Sequence, residues 1–157
     1  MDHDEIATIV VNTAFDIHSE LGPGLLESVY REIMGNELRQ HHLKVLQEVG
    51  IPVVWKNCVV DIGFRADFLI EDLVLVEIKA KETTLPVYYR QLLTYLKATN
   101  LNLGLLINFG ETYIKKGMKR VVNEFREEGR HAKAPRRKGA KNKFFIYNII
   151  YIFLVSK

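Results

Sequence analysis

The chain has 157 residues, 48% of them hydrophobic and 26% charged, the make-up of a single soluble globular domain with room for a core. Its one cysteine, Cys58, excludes an internal disulfide and a zinc cluster, and the acidic start Met1-Asp2-His3-Asp4-Glu5 does not read as a secretory signal, so a cytoplasmic setting is expected. The net charge of +3 is uneven: residues 1–125 carry 13 Lys/Arg against 17 Asp/Glu, a net of −4, and residues 126–143 carry eight basic against two acidic residues, a net of +6.

Apolar residues at Ile6, Val10, Ala14, Ile17 and Leu21 form a helical stripe, which predicts a helix over Asp4–Leu21. Gly22-Pro23-Gly24 breaks it, and a second helix is expected from about Leu25 to His42. Val45 to Trp55 reads as a strand, with Gly50 and Pro52 marking an edge or a bulge. Cys58–Ile70 and Leu73–Ala80 read as two more strands. Thr83 or Thr84 is a candidate cap for a helix with Pro86 in its first turn, running to about Thr99. Leu103–Phe109 reads as a buried strand, and Met118–Phe125 as a final strand or a short helix. The order ααβββαβ predicts an α/β fold with a mixed sheet flanked by helices.

The domain is expected over residues 1–125. The basic run from Arg126 to Lys143 fits either a solvated, disordered extension or a segment that contacts phosphate. Residues 144–157 are rich in aromatic and β-branched side chains. They are too few for a transmembrane helix, which needs about 20 apolar residues. They suit an edge strand or packing on the body, and their role stays open.

The chemistry concentrates in Arg65 to Lys79, where Asp67, Glu77 and Lys79 interrupt two runs that otherwise read as buried strands. Buried charges are costly unless they are paired or bind a metal. Two carboxylates and a lysine are what metal-assisted phosphodiester cleavage requires. Alternation puts Glu77 and Lys79 on one strand face. Asp67 joins them only if the hairpin loop has three residues, Glu71 to Leu73; a two-residue turn at Glu71-Asp72 sends Glu77 to the opposite face. The same alternation also fits a half-exposed strand with Glu77 and Lys79 in solvent. Glu27 and Tyr30 lie three apart on the second helix, where helix-dipole placement alone would also favour Glu27. Tyr88, Gln91 and Tyr95 share a face of the later helix, facing either a site or the rim of the core.

Five blocks carry a family resemblance: Leu21-Gly-Pro-Gly-Leu-Leu-Glu-Ser-Val-Tyr30, Arg65-Ala-Asp-Phe-Leu-Ile-Glu-Asp72, Val76-Glu-Ile-Lys-Ala80, Gln91-Leu-Leu-Thr-Tyr-Leu-Lys97 and Gly104-Leu-Leu-Ile-Asn-Phe109. Over about residues 4–125 the chain resembles the bacterial GxxExxY proteins of the PD-(D/E)XK nuclease-like superfamily. The resemblance implies a restriction-endonuclease-like core. It implies Asp67 and Glu77 as ligands of Mg²⁺ or Mn²⁺, Glu27 as a further carboxylate, Lys79 as the catalytic lysine, and Gln91 and Tyr95 as supporting polar residues. It implies DNA or RNA as substrate. The superfamily's proline is replaced by Ala66, and GxxExxY proteins often carry histidine where this chain has Tyr88. A non-catalytic binding or regulatory module that retains the fold is the alternative, because fold does not fix function.

Overall fold

The computed structural model describes residues 1–56 and 58–123. The expected basic segment 126–143 and apolar segment 144–157 lie outside the described residues. Two helices lead, α1 (His3–Leu21) and α2 (Glu27–Gln40), followed by three strands, β1 (Val45–Trp55), β2 (Cys58–Ile70) and β3 (Val74–Lys79). Then come α3 (Pro86–Thr99), β4 (Leu103–Asn108), the short α4 (Ile114–Gly117) and β5 (Met118–Val122). The segment from Met118, expected as a strand or a short helix, is strand β5, and α4 precedes it. The five strands form one sheet in sequence order, with β3 and β4 parallel and the other neighbours antiparallel. The mixed sheet flanked by helices is the expected α/β class. Among the described residues no helix is long and apolar enough to cross a membrane.

Helix α1 starts at a capping box. The Asp2 carboxylate accepts from the amides of Asp4 and Glu5, and the Glu5 carboxylate accepts from the Asp2 amide. Its stripe Ile6, Val10, Ala14 and Ile17 joins Tyr30, Met34 and Leu38 of α2 over the sheet residues Phe68, Ile70, Val74, Val76, Ile78, Leu105 and Ile107. Leu21, expected in that stripe, is exposed. On the opposite face α3 buries Leu92, Tyr95 and Leu96. A Cβ at Gly104 would sit 2.9 Å from Leu92, so the missing side chain lets α3 lie close to the sheet. Both faces of β3 are therefore covered, and its residues 74–78 are buried.

Three local expectations change. Neither threonine caps α3: its N-cap is Leu85 without a side-chain cap, and Pro86 begins the helix. Thr84 instead donates its amide to Glu111 and accepts from Asn108 Nδ2. Helix α2 is shorter than expected at both ends; it begins without a side-chain cap, and Tyr30 bonds the turn that precedes it. The expected irregularity in β1 is present: the pairing with β2 shifts between Ile51 and Val53, around Pro52, and β1 is an edge strand of the sheet.

Tyr30 holds the break between the first two helices. Its hydroxyl donates to the Gly22 carbonyl at 2.6 Å and accepts from the Leu25 amide at 3.3 Å. Its ring stacks on Phe109, with centroids 4.4 Å apart. Gly22 and Gly24 both take positive φ in this turn. Tyr30→Phe keeps the stack and removes both hydrogen bonds, so it should cost about 1 kcal/mol in urea denaturation; an unchanged midpoint would show that the hydroxyl does not hold the turn.

Candidate functional site

The hairpin between β2 and β3 decides which charges meet. Ile70 pairs with Val74, Leu69 with Leu75 and Phe68 with Val76, so three residues, Glu71 to Leu73, form the loop. Glu71 and Asp72 adopt left-handed backbone. Extending that register by one residue sets Asp67 against Glu77. Beyond Phe68 the two strands stop pairing, and β2 continues with β1 alone. The Asp67 carboxylate fills that gap: Oδ2 accepts from the Ile78 amide at 2.7 Å. Its Oδ1 accepts from Arg31 Nη1 of α2 at 2.8 Å.

Glu77 lies on the α3 face of β3 and is 4% exposed, which rules out the half-exposed strand with this side chain in solvent. Its Oε1 accepts from Lys79 Nζ at 2.5 Å. Its Oε2 is buried and has no hydrogen-bond partner. Lys79 also donates to the Ile78 carbonyl at 3.1 Å and lies 5.6 Å from the centre of the Tyr88 ring. Tyr88 therefore faces the lysine with an aromatic surface.

The parallel β4 locates this end of β3. Phe109 N donates to the Lys79 carbonyl at 2.7 Å. Asn108 is fully buried, and its side chain is saturated. Oδ1 accepts from the amides of Lys81 and Gly110, and Nδ2 donates to the Lys81 carbonyl and Thr84 Oγ1.

Glu27 begins α2 and is partly buried. Its charge acts on Glu77, Lys79 and Arg31, which places it in the same electrostatic neighbourhood. Tyr95 packs against Phe64, accepts a hydrogen bond from Gln91 Nε2, and feels the charges of Glu77, Lys79 and Asp67. Gln91 joins the cluster through Tyr95. Direct contacts thus join Glu77 to Lys79 and Gln91 to Tyr95, and bring Asp67 to the Ile78 amide between the first two, while Glu27 is linked to them through its charge alone.

Arg31 is the residue that sequence reasoning missed. Its signal was the Glu27-to-Arg31 spacing, which puts both side chains on one helix face.

Burial first, and the Asp67 charge second, raise the Glu77 carboxyl to about 7, against the opposing pull of Lys79. Burial pulls Lys79 down, yet the charges of Glu77, Glu27 and Asp67 outweigh it and the net direction is up. The charges of Asp67 and Glu27 act in the same upward direction on both groups. Burial and Glu77 also raise the Tyr95 hydroxyl, which keeps it protonated.

The folded chain holds the Glu77 proton more tightly than the unfolded chain, whose ordinary value is 4.5. The stability this group contributes is complete below that value and is lost as pH rises through about 7. Glu77→Gln should therefore flatten the melting-temperature profile between about pH 5 and pH 8 and raise stability most at the alkaline end. Equal slopes in both proteins would assign the dependence to other groups.

A model described as the PD-(D/E)XK nuclease superfamily matches residues 4–121. No curated protein and no solved structure matches the chain.

Proposed function

Since the chain belongs to the PD-(D/E)XK nuclease superfamily, we propose that it is a metal-dependent nuclease that hydrolyses phosphodiester bonds in DNA or RNA at the Asp67/Glu77/Lys79 cluster. One observation carries this reading: a buried carboxylate oxygen, Glu77 Oε2, without a partner, in a pocket of surplus negative charge. Such an atom costs stability unless a ligand completes it.

The donor set fits a hard cation. Asp67 and Glu77 offer carboxylate oxygens, the Ile78 carbonyl lies beside Lys79 Nζ, and Glu27 adds charge nearby. Oxygen donors of this kind suit Mg²⁺ or Mn²⁺. When bound, such an ion polarises a phosphoryl oxygen and supplies a nucleophilic water at neutral pH.

The chain's own groups do the rest. Lys79, fixed by Glu77, the Ile78 carbonyl and the Tyr88 ring, presents an ammonium to charge developing on the phosphate. Burial keeps that ammonium in one place, so little reorganisation is needed when the charge appears. Glu77, whose carboxyl is raised to about 7 in the metal-free chain, is the carboxylate that a divalent cation would hold ionised. Gln91 and the protonated Tyr95 hydroxyl orient polar groups at the α3 side. The acidic body argues for limited contact with the nucleic-acid backbone, with the basic run 126–143 supplying phosphate contacts.

A non-catalytic binding module is the second reading. It is favoured by the ion pairs that already engage Asp67 and Lys79, and by the absence, among the described residues, of three His, Cys, Asp or Glu side chains grouped to hold a metal.

Cleavage assays on single- and double-stranded DNA and RNA separate the two. Activity should require Mg²⁺ or Mn²⁺ and vanish with a chelator, and Asp67→Ala should abolish both metal binding and cleavage. Lys79→Ala should retain metal binding and lose roughly a hundredfold or more in rate. No metal-dependent cleavage, together with no Mn²⁺ binding that depends on Asp67, would select the binding module. Deletion of residues 126–157 should weaken nucleic-acid binding and flatten its salt dependence without altering the metal requirement; an unchanged salt slope would exclude phosphate contacts by this segment.

A further inference from the structure

Asp67 is the carboxylate on which the proposed metal site turns, and it is already occupied. Its Oδ2 belongs to the Ile78 amide. Its Oδ1, the oxygen left for a ligand, is taken by Arg31 Nη1 at 2.8 Å. The Arg31 side chain is 22% exposed and that of Asp67 only 10%, so this pair is poorly screened.

A second acceptor stands beside the first. Glu48 Oε1 lies 4.0 Å from Arg31 Nη2 and 3.6 Å from Arg65 Nη1, and its side chain is half exposed. In the register of β1 with β2, Gln47 pairs with Phe68 and Val49 with Ala66, so Glu48 falls opposite Asp67. Glu48 does so in a left-handed backbone conformation, φ 50, in the middle of a strand. That conformation costs energy for a residue with a Cβ.

From these placements we propose that Arg31 is a resident counter-cation, which holds Asp67 when no metal is bound and transfers to Glu48 when a divalent cation loads. The inference rests on the nuclease reading of the same site. A guanidinium and a divalent cation cannot both use Oδ1, because the two positive charges would meet at contact distance in a poorly screened place. Arg31 therefore competes with the metal. It also supplies in the metal-free chain the compensation that Asp67 needs, since an unpaired buried carboxylate is costly. Glu48 makes the exchange less costly, because the displaced guanidinium already stands 4.0 Å from its carboxylate and gains a hydrogen bond there after a shift of about 1 Å. Affinity for the cation is then the difference between two nearly balanced pairings, so the site loads according to metal concentration and not irreversibly.

Two measurements on the whole chain test this. Mn²⁺ is titrated by calorimetry into the unmodified protein, Arg31→Met and Asp67→Asn. Arg31→Met should bind Mn²⁺ roughly tenfold or more tightly, since one charge-assisted hydrogen bond no longer has to be broken, and Asp67→Asn should not bind. In the unmodified protein, the ¹⁵N signals of the Arg31 guanidinium should shift on saturation with Mg²⁺. Glu48→Gln should change the position they reach but not the one they start from. If the unmodified protein binds Mn²⁺ through Asp67 but Arg31→Met binds no more tightly, or the guanidinium signals stay fixed at saturation, the exchange is wrong and the metal site stands. If neither the unmodified protein nor Arg31→Met binds Mn²⁺, the metal-dependent reading falls, and the exchange falls with it. The signal measurement needs no variant to fold, so a collapsed Arg31→Met leaves the test intact.

Discussion

The Asp67 carboxylate ties three elements together at the point where the sheet divides. Strand β2 pairs with β3 only from Phe68 onward, and on the side before Phe68 the ladder would end with a free amide in a buried place. Asp67 takes that amide, from Ile78, with one oxygen and the α2 side chain Arg31 with the other. Without this carboxylate, β3 would lack its last partner on the β2 side and α2 would lose its Arg31 link to β2. The position of Glu77 and Lys79 follows, because both lie on the stretch of β3 that Asp67 secures.

A charge imbalance at the same place accounts for the rest of the site's behaviour. Burial would favour neutral side chains, yet the chain keeps Asp67, Glu77 and Glu27 against Arg31 and Lys79. Both Glu77 and Lys79 shift upward: burial chiefly raises Glu77 against the pull of Lys79, and Asp67 and Glu27 push both groups the same way. The unpartnered Glu77 Oε2 is the geometric form of the same surplus. Stability and function pull apart here: packing alone would put an apolar residue at position 77.

Much of this was legible in the sequence, for reasons that can be named. The alternation of β3 and the odd loop length together set the face that Glu77 uses, and a three-residue loop was the condition for a shared site. Left-handed Glu71 and Asp72 satisfy it, although neither is the glycine that such turns usually announce. The helix breaks were readable from Gly22-Pro23-Gly24 and from Pro86. The cap of α3 was not, because Thr84 spends its hydrogen bonds on Glu111 and Asn108, partners distant in the chain. Arg31 was missed for a similar reason: an arginine four residues after a glutamate reads as an exposed helix pair, and only the fold brings Asp67 within reach. Long-range polar partners leave no periodic trace.

The saturated Asn108 side chain has a consequence for how the chain tolerates change. Lys79 is anchored through its own carbonyl and through Lys81 to residues 108–110, all at the end of β4. This backbone anchor does not run through α3, the helix between them in the chain, which meets the ammonium through the Tyr88 ring. A Cβ at Gly110 would sit 2.4 Å from the Lys81 carbonyl oxygen, so the two backbones there are in direct contact. Sequence drift on the outer surface of α3, or added length at its C-terminal end near Asn100, can therefore accumulate while the Lys79 backbone stays in register. A single change at 108 or 110 displaces it. The lysine's position is therefore most sensitive to the residues at the end of β4, which hold its backbone and not its ammonium.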